Sequence, residues 1–208
     1  MNLLSLANAQ YIISSKPLVG DNLSLVPSAN PQPTDKWLQS LTRWLQSSRI
    51  GAVISDGIST NFYGRRLYIY KNENCLPRAF LASKIEVYEN YSALLEAMSK
   101  SSLDCLRHTA FFEKQFSSEI EIGQNHLPAS GDVKILEYSP DKLLLETDCI
   151  APCVLIITNS YSPYWRCMID GQKKDIFPVD HAFLGISLDK GRSRVSLEYH
   201  PPYEPLMR

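Results

Sequence analysis

No stretch of the 208-residue chain supplies the roughly 18 consecutive apolar residues that a bilayer-spanning helix requires. The longest apolar segment, Ala151 to Trp165, is interrupted by Pro152, Thr158, Asn159, Ser160, Ser162 and Pro163. The N-terminus, Met1 to Asn8, lacks both a basic segment and a long apolar core, so no signal peptide is expected. A chain without an export signal is expected in the cytosol unless membrane segments elsewhere in a longer polypeptide direct it. Charge of one sign is also missing. Twenty-one Lys and Arg face 22 Asp and Glu, a net charge of −1, which offers no field to attract nucleic-acid phosphates.

The motifs of common enzyme classes are absent as well. There is no GxSxG, GxxxxGK[ST], GxGxxG or HExxH. No CxxC or HxxxH pair supplies ligands at zinc-finger spacing, so neither a metal nor a cofactor is expected. The five cysteines are odd in number and scattered, which argues against a disulfide framework. One pair stands apart: Cys149 and Cys153 flank Ile150-Ala151-Pro152 and can bridge if the compartment is oxidising. Asp180-His181 is a tempting acid–imidazole neighbour for a stand-alone hydrolase. Adjacent strand residues point to opposite faces, however, so the better reading is a turn.

What is present is enough apolar material, 44% of the chain, for a full core. A chain of this size hides about 70% of its unfolded surface. The sequence predicts an α+β fold, with an N-terminal α/β portion over 1–122, a connection at 123–130 and an antiparallel β-sandwich over 131–202. In the first portion Tyr11-Ile12-Ile13 reads as a short buried strand and 18–33 as a loop. A helix is expected from Thr34 or Asp35 to Ser48, on an apolar face of Trp37, Leu38, Leu41, Trp44 and Leu45. Strands follow at Gly51, Leu67 and Ala79, and a short helix from Ser92 to about Lys100.

Beyond Gly131 helical periodicity ends. Seven strand-like runs begin at Val133, Leu143, Val154, Trp165, Asp175, Ala182 and Arg194. Turn signals separate them, with Asp170-Gly171 the clearest hairpin marker because both residues tolerate positive φ. The densest chemistry lies between Ser160 and Gly171. Tyr161, Tyr164 and Trp165 can form a stacking surface for a sugar, with Arg166 and Asp170 as hydrogen-bonding partners. The competing reading makes Trp165 a core residue of the sandwich and the tyrosines its rim.

The run from Tyr161 to Gly171, with Pro163, Trp165, Arg166, Ile169, Asp170 and Gly171, and an ending with Gly191, Tyr199 and Pro201, resembles the C-terminal region of the YfhO-like bacterial membrane proteins. Leu76-Pro77-Arg78-Ala79-Phe80-Leu81 and Leu6-Ala-Asn-Ala-Gln-Tyr-Ile-Ile-Ser resemble two upstream segments of that family, in the same order. Tyr164 stands where the family prefers Gly, and Cys105 where Pro is common. Such proteins are polytopic and resemble multi-spanning glycosyltransferases that use lipid-phosphate sugars. The resemblance implies a non-catalytic extracytoplasmic domain, exported by the parent's helices and followed by a final membrane helix after Pro205-Leu206-Met207-Arg208. Its implied partners are the membrane-embedded remainder of the parent chain and, for a binding role, a cell-envelope glycan. An extracytoplasmic location also favours the Cys149–Cys153 bridge.

Overall fold

A computed structural model of the chain describes residues 5–14, 16–26, 68–119 and 131–202. The chain divides into two compact units, Ala9–Asn74 and Met1–Asn8 with Cys75–Arg208. In the first, strands β1 (Tyr11–Ser14) and β2 (Leu23–Leu25) flank β3 (Tyr68–Asn72) in an antiparallel sheet of order β1-β3-β2. Two expectations change here. Ile13 is 65% exposed, so β1 is a surface strand rather than a buried one. Within the stretch read as a loop, Leu23–Leu25 is extended because it completes the ladder on β3. The helix expected over 34–48 and the strand at Gly51 lie outside the described residues.

The second unit is mostly β. It opens with β4 (Ala79–Ala82) and β5 (Lys84–Tyr88), followed by helices α1 (Tyr91–Lys100) and α2 (Leu103–His108) and strand β6 (Thr109–Glu113). Asn90 starts α1 by accepting from the Ala93 amide at 3.0 Å, and Ser102 starts α2 through the Cys105 amide at 3.1 Å. Leu94 and Met98, one turn apart, give α1 its buried stripe. The helices connect β5 to β6, which pair in parallel.

Eight strands follow: β7 (Gly131–Tyr138), β8 (Lys142–Cys149), β9 (Cys153–Ser160), β10 (Trp165–Ile169), β11 (Gln172–Lys174), β12 (Phe177–Val179), β13 (Phe183–Leu188) and β14 (Gly191–Tyr199). They form a five-stranded sheet, β11-β10-β14-β8-β7, and a four-stranded one, β12-β13-β9-β4, both antiparallel. Of the run expected from Asp175 to Phe177 only Phe177 is extended, as the first residue of β12, and the sequence offers no sign of β11. β11 ends the five-stranded sheet, and Asp175-Ile176 carries the chain across to β12 in the other. The four-stranded sheet draws β4 from before residues 123–130 and its other three strands from after them. As expected, Asp170-Gly171 is a two-residue hairpin turn, with φ of 49° and 82° joining Ile169 to its partner Gln172.

One apolar cluster unites the facing sides of both sheets: Leu81, Leu155, Ile157 and Ile186 from one, Leu143, Leu145, Trp165 and Val195 from the other. A second cluster covers the opposite side of the four-stranded sheet, where Phe80, Val154, Ile156 and Phe177 meet Leu94 and Leu106 of the helices and Phe112 of β6. Phe177 lies directly across from Gly185, where a Cβ would come within 2.5 Å of its ring. Glycine there lets the ring cover the strand.

Asp180 is 3% exposed and forms the turn between β12 and β13 with His181, both in the left-handed region. Its amide donates to the Phe111 carbonyl and its Oδ1 accepts from the Phe111 amide, each at 2.9 Å, while Oδ2 has no partner among the described residues. Burial pushes this carboxyl up to about 8, outweighing the opposing backbone hydrogen bond. The fold therefore keeps the proton that the unfolded chain loses near 3.8. This contribution is complete below that lower value and declines as pH rises to about 8, by up to about 1.4 kcal/mol per pH unit. Asp180→Asn is expected to flatten the slope in urea titrations across that window. An unchanged slope would show that Asp180 does not carry the dependence.

Candidate functional site

An open cleft of about 350 Å³ lies where the four-stranded sheet ends, among Arg78, Tyr138, Asn159, Tyr161, Trp165 and Tyr199. Its geometry starts with a β-bulge. β13 pairs Leu184 with Ile157 and Phe183 with Ser160, which leaves Thr158 and Asn159 without a partner on β13. On the other side of β9 the β4 register continues one residue further, the Thr158 amide and hydroxyl donating to the Arg78 carbonyl at 2.9 and 3.3 Å. Arg78 precedes β4, so this bond fixes its backbone at the cleft edge.

The Arg78 guanidinium lies 4.7 Å from the centre of the Tyr138 ring and donates from Nη1 to Asn159 Oδ1 at 3.3 Å. Among the described residues no carboxylate forms a salt bridge with it, so its charge meets an aromatic face and an amide only. The floor is aromatic. Trp165 packs 5.2 Å from Tyr199, and Tyr164 stands edge-on to Tyr199 at 6.4 Å. Tyr161 is held by its amide, which donates to the Ala182 carbonyl at 2.7 Å.

The five residues singled out from sequence do not share one surface. Tyr161 and Trp165 line the cleft, while Tyr164 sits beyond Tyr199. Strand alternation puts Arg166 on the opposite, solvent-facing side of β10, across from Glu198. Asp170 lies at the far end of that strand, where Oδ1 accepts from the Arg194 amide at 2.9 Å. Five residues of strand span about 17 Å, too far for Asp170 to join Trp165 around one sugar ring. Arg78, Tyr138, Asn159 and Tyr199 do line the cleft and were not among the expected site residues. Two of them fall in the segments that carried the family resemblance, Arg78 in Leu76–Leu81 and Tyr199 in the Gly191–Pro201 ending, and that was the available signal.

The acid–imidazole neighbours separate too. Asp180 points inward, whereas His181 is 42% exposed with Nδ1 3.6 Å from Glu113 Oε1. Among the described residues no three His, Cys, Asp or Glu side chains are grouped to hold a metal ion. The Cys149 and Cys153 thiols lie 3.3 Å apart.

Trp165 is 9% exposed and belongs to the core between the sheets while also walling the cleft. Trp165→Ala is expected to destabilise the chain by about 3–5 kcal/mol. Arg78→Ala, which removes a surface cation–π contact, costs only about 0.5–1 kcal/mol. Denaturant midpoints check both. A Trp165→Ala cost below about 1 kcal/mol would remove the core role.

Residues 126–207 match the family model described as bacterial membrane protein YfhO. The chain is also 24% identical over 98 residues to a protein of Bacillus subtilis (strain 168), described as uncharacterized protein YfhO. That match covers 47% of this chain and 11% of the relative, so the chain aligns with about a tenth of that protein's length. No solved structure matches the chain. Strands β7 to β14, which form the five-stranded sheet and most of the four-stranded one, are therefore a YfhO-like region.

Proposed function

We propose that the chain is an extracytoplasmic, non-catalytic part of a multi-spanning bacterial membrane protein, and that its cleft binds a cell-envelope glycan beside the membrane. The reading takes the two facing sheets as a β-sandwich that carries the cleft at one end. One observation carries it above the others. Arg78, from the Leu76–Leu81 segment, lines the same cleft as Trp165 and Tyr199, from the two C-terminal segments, although more than 80 residues separate Arg78 from either. Those are three of the segments on which the family resemblance rests. Packing alone does not require a guanidinium there, since an apolar residue would cover Tyr138 at lower desolvation cost.

The chemistry suits a sugar. Tyr161, Trp165 and Tyr199 give the cleft an aromatic lining suited to the C–H groups of a pyranose. Arg78 and Asn159 present planar donors and an acceptor to its hydroxyls. With no carboxylate against it among the described residues, Arg78 retains donors for a ligand. The parent's reaction, if it resembles that of glycosyltransferases using lipid-linked sugars, takes place in residues outside this chain.

A second reading has its own observation. On edge strand β7, Ile135, Leu136 and Tyr138 are 38–49% exposed beside a bulge. A purely structural module would bury that edge against the membrane-embedded remainder of the parent, with no ligand in the cleft.

Oligosaccharides prepared from bacterial envelope glycans, titrated against the chain while Trp165 fluorescence is followed, separate the two. Trp37→Phe and Trp44→Phe remove the other tryptophans from the signal. The binding reading expects saturable quenching, weakened about tenfold or more by Arg78→Ala or Tyr138→Ala with circular dichroism unchanged. No response from any oligosaccharide, or equal binding by both variants, would leave the structural reading.

A further inference from the structure

The corner between β8 and β9 is where the chain leaves the five-stranded sheet for the four-stranded one. Cys149 ends β8, Cys153 begins β9, and only Ile150-Ala151-Pro152 lies between them. Each cysteine is anchored in its own sheet. Cys149 sits between Gly131 and Gly191, and Cys153 pairs with Leu188. Pro152 and the ladders on both sides therefore set the separation of the two side chains, whose sulfurs lie 3.3 Å apart with 2% and 3% of each residue exposed.

We propose that Cys149 and Cys153 are a disulfide-forming pair, and that the bond clamps the corner between the two sheets in the mature protein. Closing the contact to a bond of about 2.05 Å asks the sulfurs to approach by about 1.2 Å. Cys153 donates to the Cys149 sulfur, which holds the Cys149 thiol below its ordinary range. Cys153 itself is pushed up, first by that hydrogen bond and then by burial.

The oxidant is a protein or small-molecule disulfide, and its supply rests on the extracytoplasmic reading above. One of the two cysteine thiolates attacks one sulfur of that disulfide, forming a mixed disulfide and releasing one thiolate. The other cysteine loses its proton and attacks the sulfur of the first, closing the ring and releasing the second thiolate. Two cysteine thiols are oxidised and one external disulfide is reduced to two thiols. Because both sulfurs are buried in the finished fold, exchange occurs on the folding chain, and the same burial then shields the bond from reductants.

The remaining cysteines do not compete. Cys167 is buried in the core, which pushes its thiol up to about 12. Cys75 approaches Asn8, and Cys105 lies 3.7 Å from the Thr109 hydroxyl.

Alkylation in denaturant followed by peptide mass measurement tests the pairing. It is applied to the intact protein from its source cells and to the 208-residue chain refolded with glutathione and glutathione disulfide. The expected peptide holding both cysteines is two hydrogens lighter and unalkylated until reduced, while Cys75, Cys105 and Cys167 take the label. Cys149→Ser should then expose Cys153 to the reagent. Reduction should lower the melting temperature of the refolded chain by about 4–8 °C. Alkylation of both cysteines in both preparations would overturn the pairing. A pair closed by glutathione disulfide yet alkylated in the protein from cells would support the pairing but overturn both the clamp in the mature protein and the extracytoplasmic location.

Discussion

Strand β9 is covered on both faces, and most of the second unit is arranged to make that possible. Cys153, Leu155 and Ile157 enter the cluster shared with the five-stranded sheet, while Val154 and Ile156 enter the one shared with the helices. β13 and β4 supply its two backbone ladders. Full burial of each large aliphatic side chain contributes about 1.5–3 kcal/mol. The surface ion pairs of the same unit, such as Lys100–Glu96 at 72% and 66% side-chain exposure, contribute about 0–1 kcal/mol. The apolar strand, rather than the charged surface, decides the architecture.

A strand apolar on both faces has no polar side to fix its register, because a one-residue slip still leaves apolar side chains in both cores. The ends supply what the middle lacks. At the start, Pro152 cannot donate to a ladder, so pairing begins at Cys153. At the finish, the bulge ends the regular register with β13, while on the β4 side the Thr158 amide and hydroxyl hold the Arg78 carbonyl. The neighbours add shape: Ala79 and Leu81 on one side of β4, Phe80 and Ala82 on the other, differ too much in volume to exchange places.

This accounts for what was legible in the sequence. Most strands from β7 onward are legible because turn residues bracket them, though not the short β11, and Asp170-Gly171 specifies its hairpin through backbone conformation alone. Local signals fail where a residue's fate depends on distant chain. Leu23–Leu25 carries no strand pattern and is extended only because β3 offers it an edge. Asp175 to Phe177 reads as one run, yet the chain changes sheets within it. The cleft follows the same rule. Tyr161 and Trp165 stood out as a local aromatic cluster, but Arg78 and Tyr138 reach it through the pairing of β4 and the end of β7. Arg166 and Asp170 looked suitable because they are close in sequence, which along a strand means opposite faces or opposite ends.

The bulge that fixes the register also opens the cleft. A continuous ladder would hide the Thr158 and Asn159 backbone within the sheet. Its interruption turns Asn159 toward Arg78 and leaves an aromatic wall beside it. Trp165 belongs at once to the core and to that wall, so the site is held at the rigidity of the fold and a ligand meets side chains that need little reordering. The same sharing means that the value of the aromatic floor to a ligand cannot be isolated by removing Trp165, since its loss acts first on stability. Arg78 and Tyr138 lie outside the core clusters, and their effects on binding can be separated from their effects on folding.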